Sequence, residues 1–241
     1  MKKWWHMIHQ YKSEIVDYNI IYKKRKTMGI YIDLYGHIEL RVPKGTSPES
    51  IRHLLESKWD WIQSKSNELK ERTSGFKEKV YDDGETFLYL GKTYPVCITI
   101  DENIKQDCVL LEEDKLHIYV KEQDDDRIKQ ALKRFYYQQC KNLVEKRIKI
   151  YQSYFKMKPR SIRISDNKSN WGTCDSKLQL TFNWKLAMAP MESIDYVVVH
   201  EMCHMVHLNH DRSFWRLVGK ILPDYEQRKN WLNQSSWKMV I

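Results

Sequence analysis

Alternating apolar and polar positions predict β-strands through the first 120 residues. Val16, Tyr18, Ile20 and Tyr22 alternate with polar neighbours, as expected for a strand with one buried face. Similar runs recur at residues 30–34, 38–42, 87–90, 94–100, 109–111 and 116–120. One helix is predicted among them, beginning at the N-cap Ser47 and fading into a polar run at 65–75. The first part of the chain is therefore predicted to be β-rich.

A different periodicity governs the rest of the chain. After the acidic run 124–126, apolar side chains recur every four residues, which predicts a long helix: Leu132, Tyr136, Cys140, Val144 and Ile148. Short strands are predicted at 162–164 and 178–182, on either side of a polar loop at 166–177. Further helices are predicted after Pro190, after the N-cap Asp211 and from Tyr225. We thus predict an α+β fold with a β-rich part, 1–121, and a helical part with a short sheet, 122–241.

Composition fits this interpretation and narrows the class of protein. The chain has 241 residues, of which 41% are apolar and 30% are charged, as in globular proteins of one large or two small domains. It has no apolar stretch of signal-peptide or membrane-span length, so neither is expected. Its five cysteines are scattered and odd in number, which argues against a disulfide framework and favours a cytoplasmic location.

The charge of the chain suggests a class of partner. A net charge of +9 favours anionic partners, so weak binding of nucleic acid or nucleotides through the basic surface is one expectation. The densest basic cluster, Lys23 to Lys26, either contacts phosphates or forms an exposed hairpin end. A solvated, lysine-rich surface without a dedicated partner is the alternative. The oligomeric state is left open.

Candidate chemistry is concentrated in the pattern H-E-x-x-H, which runs from His200 through Glu201 to His204. Residues four apart lie on one face of a helix, so His200 and His204 can bind the same metal ion. Glu201 is placed to act as a general base on a water activated by that ion. Imidazole ligands and the motif class indicate Zn²⁺.

A catalytic zinc needs a third protein ligand and one open position. His207 continues the same helix face, but it lies about 10 Å along the axis from His200, given about 1.5 Å of rise per residue. His210 can approach from another direction if the chain turns after His207. The predicted ligands are therefore His200, His204 and His210, while His207 is the candidate fourth ligand of a closed, structural site.

A resemblance to a known family rests on a series of motifs in the last 80 residues or so. In order, they are Asn170-Trp171-Gly172-Thr173-Cys174, Leu180 to Leu186, Ala189-Pro190, Asp195 to Glu201, Asn209-His210 and Phe214-Trp215. This region resembles the YgjP-like metallopeptidases, which are related to the SprT-like and WLM zinc peptidases. The resemblance implies a zincin-like hydrolase with a strand that pairs with an extended substrate. The family often has Arg before Trp-Gly-Ser-Cys, where this chain has Asn170 and Thr173.

Three functions are carried forward. The favoured one is a zinc metallopeptidase that acts on a peptide or protein substrate, with Glu201 as the catalytic base. A nucleotide pyrophosphatase would use the same metal site, and the positive charge favours it. A basic nucleic-acid-binding module with a structural metal is the third. Tyr225 and Arg228 are either oxyanion stabilisers or packing residues.

Overall fold

The fold is that of a computed structural model. It describes residues 5–12, 14–32, 37–72, 79–167 and 170–241. The chain divides into two compact units, Met1–Glu78 and Lys79–Ile241. Helices and strands are both abundant and the sheets are small and mixed, so the α+β prediction is confirmed. Within the described residues, no helix combines the length and the apolar character that a bilayer crossing requires.

The first unit pairs a four-stranded sheet with two helices. Its strands are β1 (Trp5–Tyr11), β2 (Glu14–Lys23), β3 (Gly29–Ile32) and β4 (Ile38–Pro43), in the order β1-β2-β4-β3. The single helix predicted here is two helices, α1 (Pro48–Ser57) and α2 (Trp59–Arg72), because the backbone leaves the helical conformation at Lys58. The Ser47 hydroxyl accepts a hydrogen bond of 3.2 Å from Ser50 N and so caps α1 as predicted.

One face of this sheet forms a separate hydrophobic core with the helices. Alternate residues of β2 and β4 pack with apolar residues of α1 and α2, namely Val16, Tyr18, Ile20, Ile38, Leu40, Val42, Ile51, Leu55, Trp59 and Ile62. The region from 65 to 72, which the polar composition predicted to be loop, continues α2. Leu69 is buried there, and a single apolar residue in about two turns was too weak a pattern to be recognised. The basic cluster at 23–26 begins at the last residue of β2.

The second unit contains two sheets and four α-helices among its described residues. Its elements are β5 (Thr86–Tyr89), β6 (Lys92–Ile100), β7 (Cys108–Glu112), β8 (Lys115–Val120), α3 (Asp125–Tyr151), β9 (Ser161–Ser165), β10 (Gly172–Cys174), β11 (Gln179–Asn183), α4 (Met191–His204), α5 (Arg212–Ile221) and α6 (Tyr225–Ser235). The sheet orders are β5-β6-β8-β7 and β10-β11-β9. A 3-10 helix, Trp184–Met188, connects β11 to α4.

The boundary between the two units lies well before the expected division at 121/122. Strands β5 to β8 belong to the second unit because their buried side chains share one core with the helices. The turn after β5 is also hydrogen-bonded to the 3-10 helix, since Leu90 N donates to Ala187 O at 2.9 Å and Gly91 N to Met188 O at 3.0 Å. The change in periodicity near residue 121 is a change of secondary structure inside one core.

Candidate metal centre and cleft

Helix α4 carries the candidate metal site and is buried along most of its length. An ion-pair network fixes it to its neighbours. The buried carboxylate of Asp195 accepts hydrogen bonds from Arg147 of α3, through Nε and, at 2.7 Å, through Nη2. Arg228 of α6 approaches the same carboxylate to 3.6 Å. Asp195 thus connects α4 to both α3 and α6, five residues before His200.

The structure brings the three predicted ligands together. His200 and His204 lie one turn apart on α4, and His210 lies just before the N-cap of α5. Nε2 of His210 is 2.9 Å from Nε2 of His200 and 3.1 Å from Nε2 of His204. A tetrahedral zinc site with bonds of about 2.0–2.1 Å spaces its nitrogens about 3.3 Å apart. Both distances from His210 are therefore close to that spacing, and all three ligand atoms lie within 4.8 Å of one another.

The orientation of the imidazoles fits a metal as well. His204 Nδ1 lies 3.0 Å from the carbonyl oxygen of His207, and donation of Nδ1–H to it leaves the lone pair on Nε2, towards the cluster. His200 Nδ1 lies 3.5 Å from the hydroxyl of Tyr196. Burial, followed by the neighbouring His204 and His210, lowers the pKa of His200 to about 3. These effects favour neutral imidazole, which is the form that binds metals.

Aromatic rings surround the imidazole cluster on the side of α5. Phe214 is fully buried, and its ring centroid lies 4.9 Å from His200, 4.6 Å from His204 and 4.8 Å from His210. Trp215 stacks on His210 with centroids 5.7 Å apart and planes 25° from parallel. The Asp211 carboxylate accepts from Phe214 N at 2.9 Å, which starts α5 and sets both rings beside the site.

Glu201 lies deep in the same cleft, with 5% of its surface exposed. Burial raises the pKa of its carboxyl group to about 8. Strand β10 passes close to it, because a Cβ on Gly172 would lie 2.6 Å from Glu201 Cγ and 2.7 Å from Oε1. Only glycine allows this approach. The carboxyl group is thus confined between α4 and the backbone of β10.

These groups face a cleft of about 490 Å³. Its lining combines the site residues with β10 and apolar side chains: Asn170, Trp171, Gly172, Thr173, Cys174, Tyr196, Val197, His200, Glu201, His204, Leu208 and His210. Strand β10 is the last strand of its sheet, so its outer edge has no partner among the described strands. The polar run 166–177 was predicted to be loop, and β10 was missed because a three-residue strand has no periodicity to detect.

A buried amide holds the wall of the cleft in place. Asn183, at the end of β11, donates from Nδ2 to the carbonyl oxygen of Asn167 at 2.6 Å. Its backbone N–H donates to the carbonyl oxygen of Trp171 at 2.9 Å. The residues that lead into β10 are therefore anchored to the core of the unit.

The candidate fourth ligand, His207, and the candidate oxyanion stabilisers, Tyr225 and Arg228, are not part of the imidazole cluster. The ring of His207 points away, with Nδ1 3.3 Å from the Ser213 hydroxyl, so the described residues offer three ligands and no fourth imidazole. Arg228 binds Asp195 and Asp224, which is a packing role. Tyr225 stacks on Trp215. Sequence reasoning placed Phe214 and Trp215 in the next helix without assigning them to the site, because contacts between helices leave no local pattern.

Imidazoles that converge from one helix and the following turn, beside a buried glutamate, form a candidate metal site of the kind that metal-dependent hydrolases use. The family comparison agrees. The model described as "YgjP-like, metallopeptidase domain" matches residues 26–235, so the chain belongs to the YgjP-like metallopeptidase family. No curated protein and no solved structure gave a match.

Proposed function

We propose that the protein is a zinc-dependent peptidase that cleaves peptide bonds of extended polypeptide segments. The observation that carries the proposal is the position of Glu201, which lines one cleft with the three converging imidazoles and lies against the backbone of β10. His200, His204 and His210 are the proposed ligands. A zinc ion bound there supplies Lewis acidity and makes a water molecule more acidic.

The protein's own groups account for the remaining steps. The free edge of β10 offers backbone N–H and C=O groups to an extended chain, and such pairing tolerates many side chains. In its ionised form, which the positive charge of a bound metal would favour, Glu201 takes a proton from the attacking water and delivers it to the leaving amine nitrogen. The buried position keeps bulk water away from that carboxylate and fixes its direction.

The alternative functions make different demands on the site. A structural metal in a nucleic-acid-binding module is held by four protein ligands as a rule, whereas the described residues converge on three imidazoles. The open fourth direction supports a catalytic metal. The argument for nucleotide pyrophosphatase activity rests on the positive net charge alone. The screen described below tests this activity beside peptide cleavage.

The test combines metal analysis with a hydrolase screen of the wild type and Glu201→Gln. Unfolded proteins, peptide libraries and nucleoside triphosphates are offered to both. We expect both proteins to bind one zinc ion and the wild type to cleave polypeptides. Glu201→Gln should be slower by about 10² or more, since the amide cannot act as a base. Pyrophosphate release without peptide cleavage would support the nucleotide alternative, and equal rates in both proteins would remove Glu201 from the mechanism.

A further inference from the structure

The three imidazoles differ in what holds them in place. The ring of His204 is fixed by a 3.0 Å contact from Nδ1 to the carbonyl of His207, and that of His200 lies 3.5 Å from the Tyr196 hydroxyl. Within the described part of the chain, His210 makes hydrogen-bond contacts through Nε2 only. Among the described residues, the third imidazole thus has no polar contact at Nδ1 of the kind that usually orients a metal-binding histidine.

His210 is also the candidate ligand with the weakest backbone support. His200 and His204 are held by the main-chain hydrogen bonds of α4, whereas His210 lies in the segment between α4 and α5 and is exposed. Its neighbour Leu208 is 79% exposed, so packing around this segment is sparse. An imidazole in such a segment samples several rotamers unless another contact selects one.

Besides the edge-on contact of Phe214 with His210, a column of stacked aromatic rings supplies such a contact. Trp215 stacks on His210 with centroids 5.7 Å apart. Tyr225, the first residue of α6, stacks on Trp215 with centroids 5.3 Å apart and planes 21° from parallel. Lys229 Nζ lies 5.4 Å from the centroid of the same indole, within the range of cation–π attraction. The column connects α6 through α5 to the third imidazole.

We propose that Trp215 is the positioning residue of His210, and that Tyr225 of α6 supports it, so that this column sets the metal affinity of the site. The inference rests on the proposed ligand set. Stacked aromatic pairs favour offset geometries with centroids about 4.5–7 Å apart, and both pairs fall in that range. Trp215 restricts the imidazole to the rotamer that directs Nε2 towards the other two rings.

The test measures zinc affinity of the full chain by competition with a chromogenic chelator. Trp215→Leu removes the stack and should weaken zinc binding by about 10- to 100-fold, the range found when outer support of a ligand is lost. Trp215→Phe keeps a ring and should lose less. Trp231→Leu is the matched control, because Trp231 is also a half-buried tryptophan at the edge of the same core. It should leave zinc affinity unchanged.

His210→Ala separates this inference from the ligand assignment. If His210→Ala binds zinc as tightly as the wild type, the proposed ligand set is wrong. If His210→Ala loses affinity while Trp215→Leu behaves like Trp231→Leu, the ligand set stands and the positioning role is overturned. Should Trp215→Leu not fold, Trp215→Phe and Tyr225→Leu decide the matter, because wild-type affinity in both would overturn the proposal.

Cobalt(II) gives a second readout that general loss of packing does not mimic. Its visible absorption depends on the number and arrangement of the ligands. We expect the spectrum of the cobalt-loaded protein to change in Trp215→Leu towards that of His210→Ala, and to stay unchanged in Trp231→Leu. A wild-type spectrum in Trp215→Leu would contradict the proposal.

Discussion

At the scale of single residues, the cleft depends on Gly172, which has no side chain. Gly172 lies where any Cβ would overlap Glu201, at 2.6 Å from Cγ. We therefore expect Gly172→Ala to displace the carboxylate without affecting the histidines. Hydrolysis should fall by about 10², the cost of a misplacement of about 1 Å, while zinc content stays at the wild-type level. Steady-state rates and metal analysis on the same samples would show this.

Gly219→Ala is the control for that substitution. A Cβ on Gly219 would lie 3.7 Å from Cε1 of Tyr225, an ordinary contact, and the residue lies within α5. The control should retain full activity, because alanine is well tolerated inside a helix. Wild-type rates in Gly172→Ala would mean that Glu201 adapts to the extra methyl group, and the confined geometry would then be irrelevant to turnover.

The two histidines that follow the H-E-x-x-H motif, His207 and His210, are expected to differ sharply. His210→Ala should lose most of the bound zinc, because it removes one of three converging nitrogens. His207→Ala should keep it, since the contact that His207 makes to His204 comes from its backbone carbonyl. Equilibrium dialysis against zinc measures both. Loss of zinc in His207→Ala with retention in His210→Ala would reverse the assignment.

At the scale of elements, α4 is held by a charged contact. Asp195 is buried and paired with Arg147, so Asp195→Asn would leave the partly buried guanidinium without a counter-charge. We expect the free energy of unfolding to fall by about 3 kcal/mol, at the lower end for a broken buried pair. Denaturant titration of the zinc-free protein measures the loss directly.

Asp224→Asn provides the comparison for Asp195. Asp224 forms an ion pair of 2.9 Å with Arg228, and its side chain is 45% exposed. Exposed pairs contribute about 0–1 kcal/mol, so this variant should unfold close to the wild-type midpoint. Equal losses in the two variants would show that the burial of Asp195 does not matter.

The elements predicted well from the sequence are those with strong local patterns. Alternation located β5 to β8, and the recurrence of apolar residues every four positions located α3, because these side chains face one core. The i, i+4 spacing similarly placed His200 and His204 on one face of α4. The position of His210 was expected, but its contact with Trp215 was not.

What the sequence did not predict depends on contacts between distant segments. Strand β10 exists through its pairing with β11, and its approach to Glu201 depends on how that sheet packs on α4. The stacking of Tyr225 on Trp215 joins two helices. None of these contacts follows from local periodicity. The periodicity of apolar residues indicates which face of an element is buried, but not which other element packs against that face.

At the scale of the whole molecule, each compact unit has a hydrophobic core of its own. The larger core draws its residues from Tyr81 to Met239, within the unit Lys79–Ile241. We expect a fragment that begins at Lys79 to fold alone and to bind zinc as tightly as the full chain, because every proposed ligand and its support lie inside it. Circular dichroism and chelator competition test this. A fragment that unfolds, while the full chain is stable, would show that the core is incomplete without residues 1–78.

The position of Glu201 on one side of β10 also has a stereochemical consequence. The carbonyl carbon of a peptide bond is prochiral, so its two faces are stereochemically distinct. A peptide that pairs with the same strand edge in the opposite direction turns its other carbonyl face towards Glu201. Only one chain direction therefore presents both the correct face and the leaving nitrogen to the carboxylate. A retro-inverso peptide, with reversed backbone and inverted residues, should occupy the edge of β10 and resist cleavage, which would make it a competitive inhibitor.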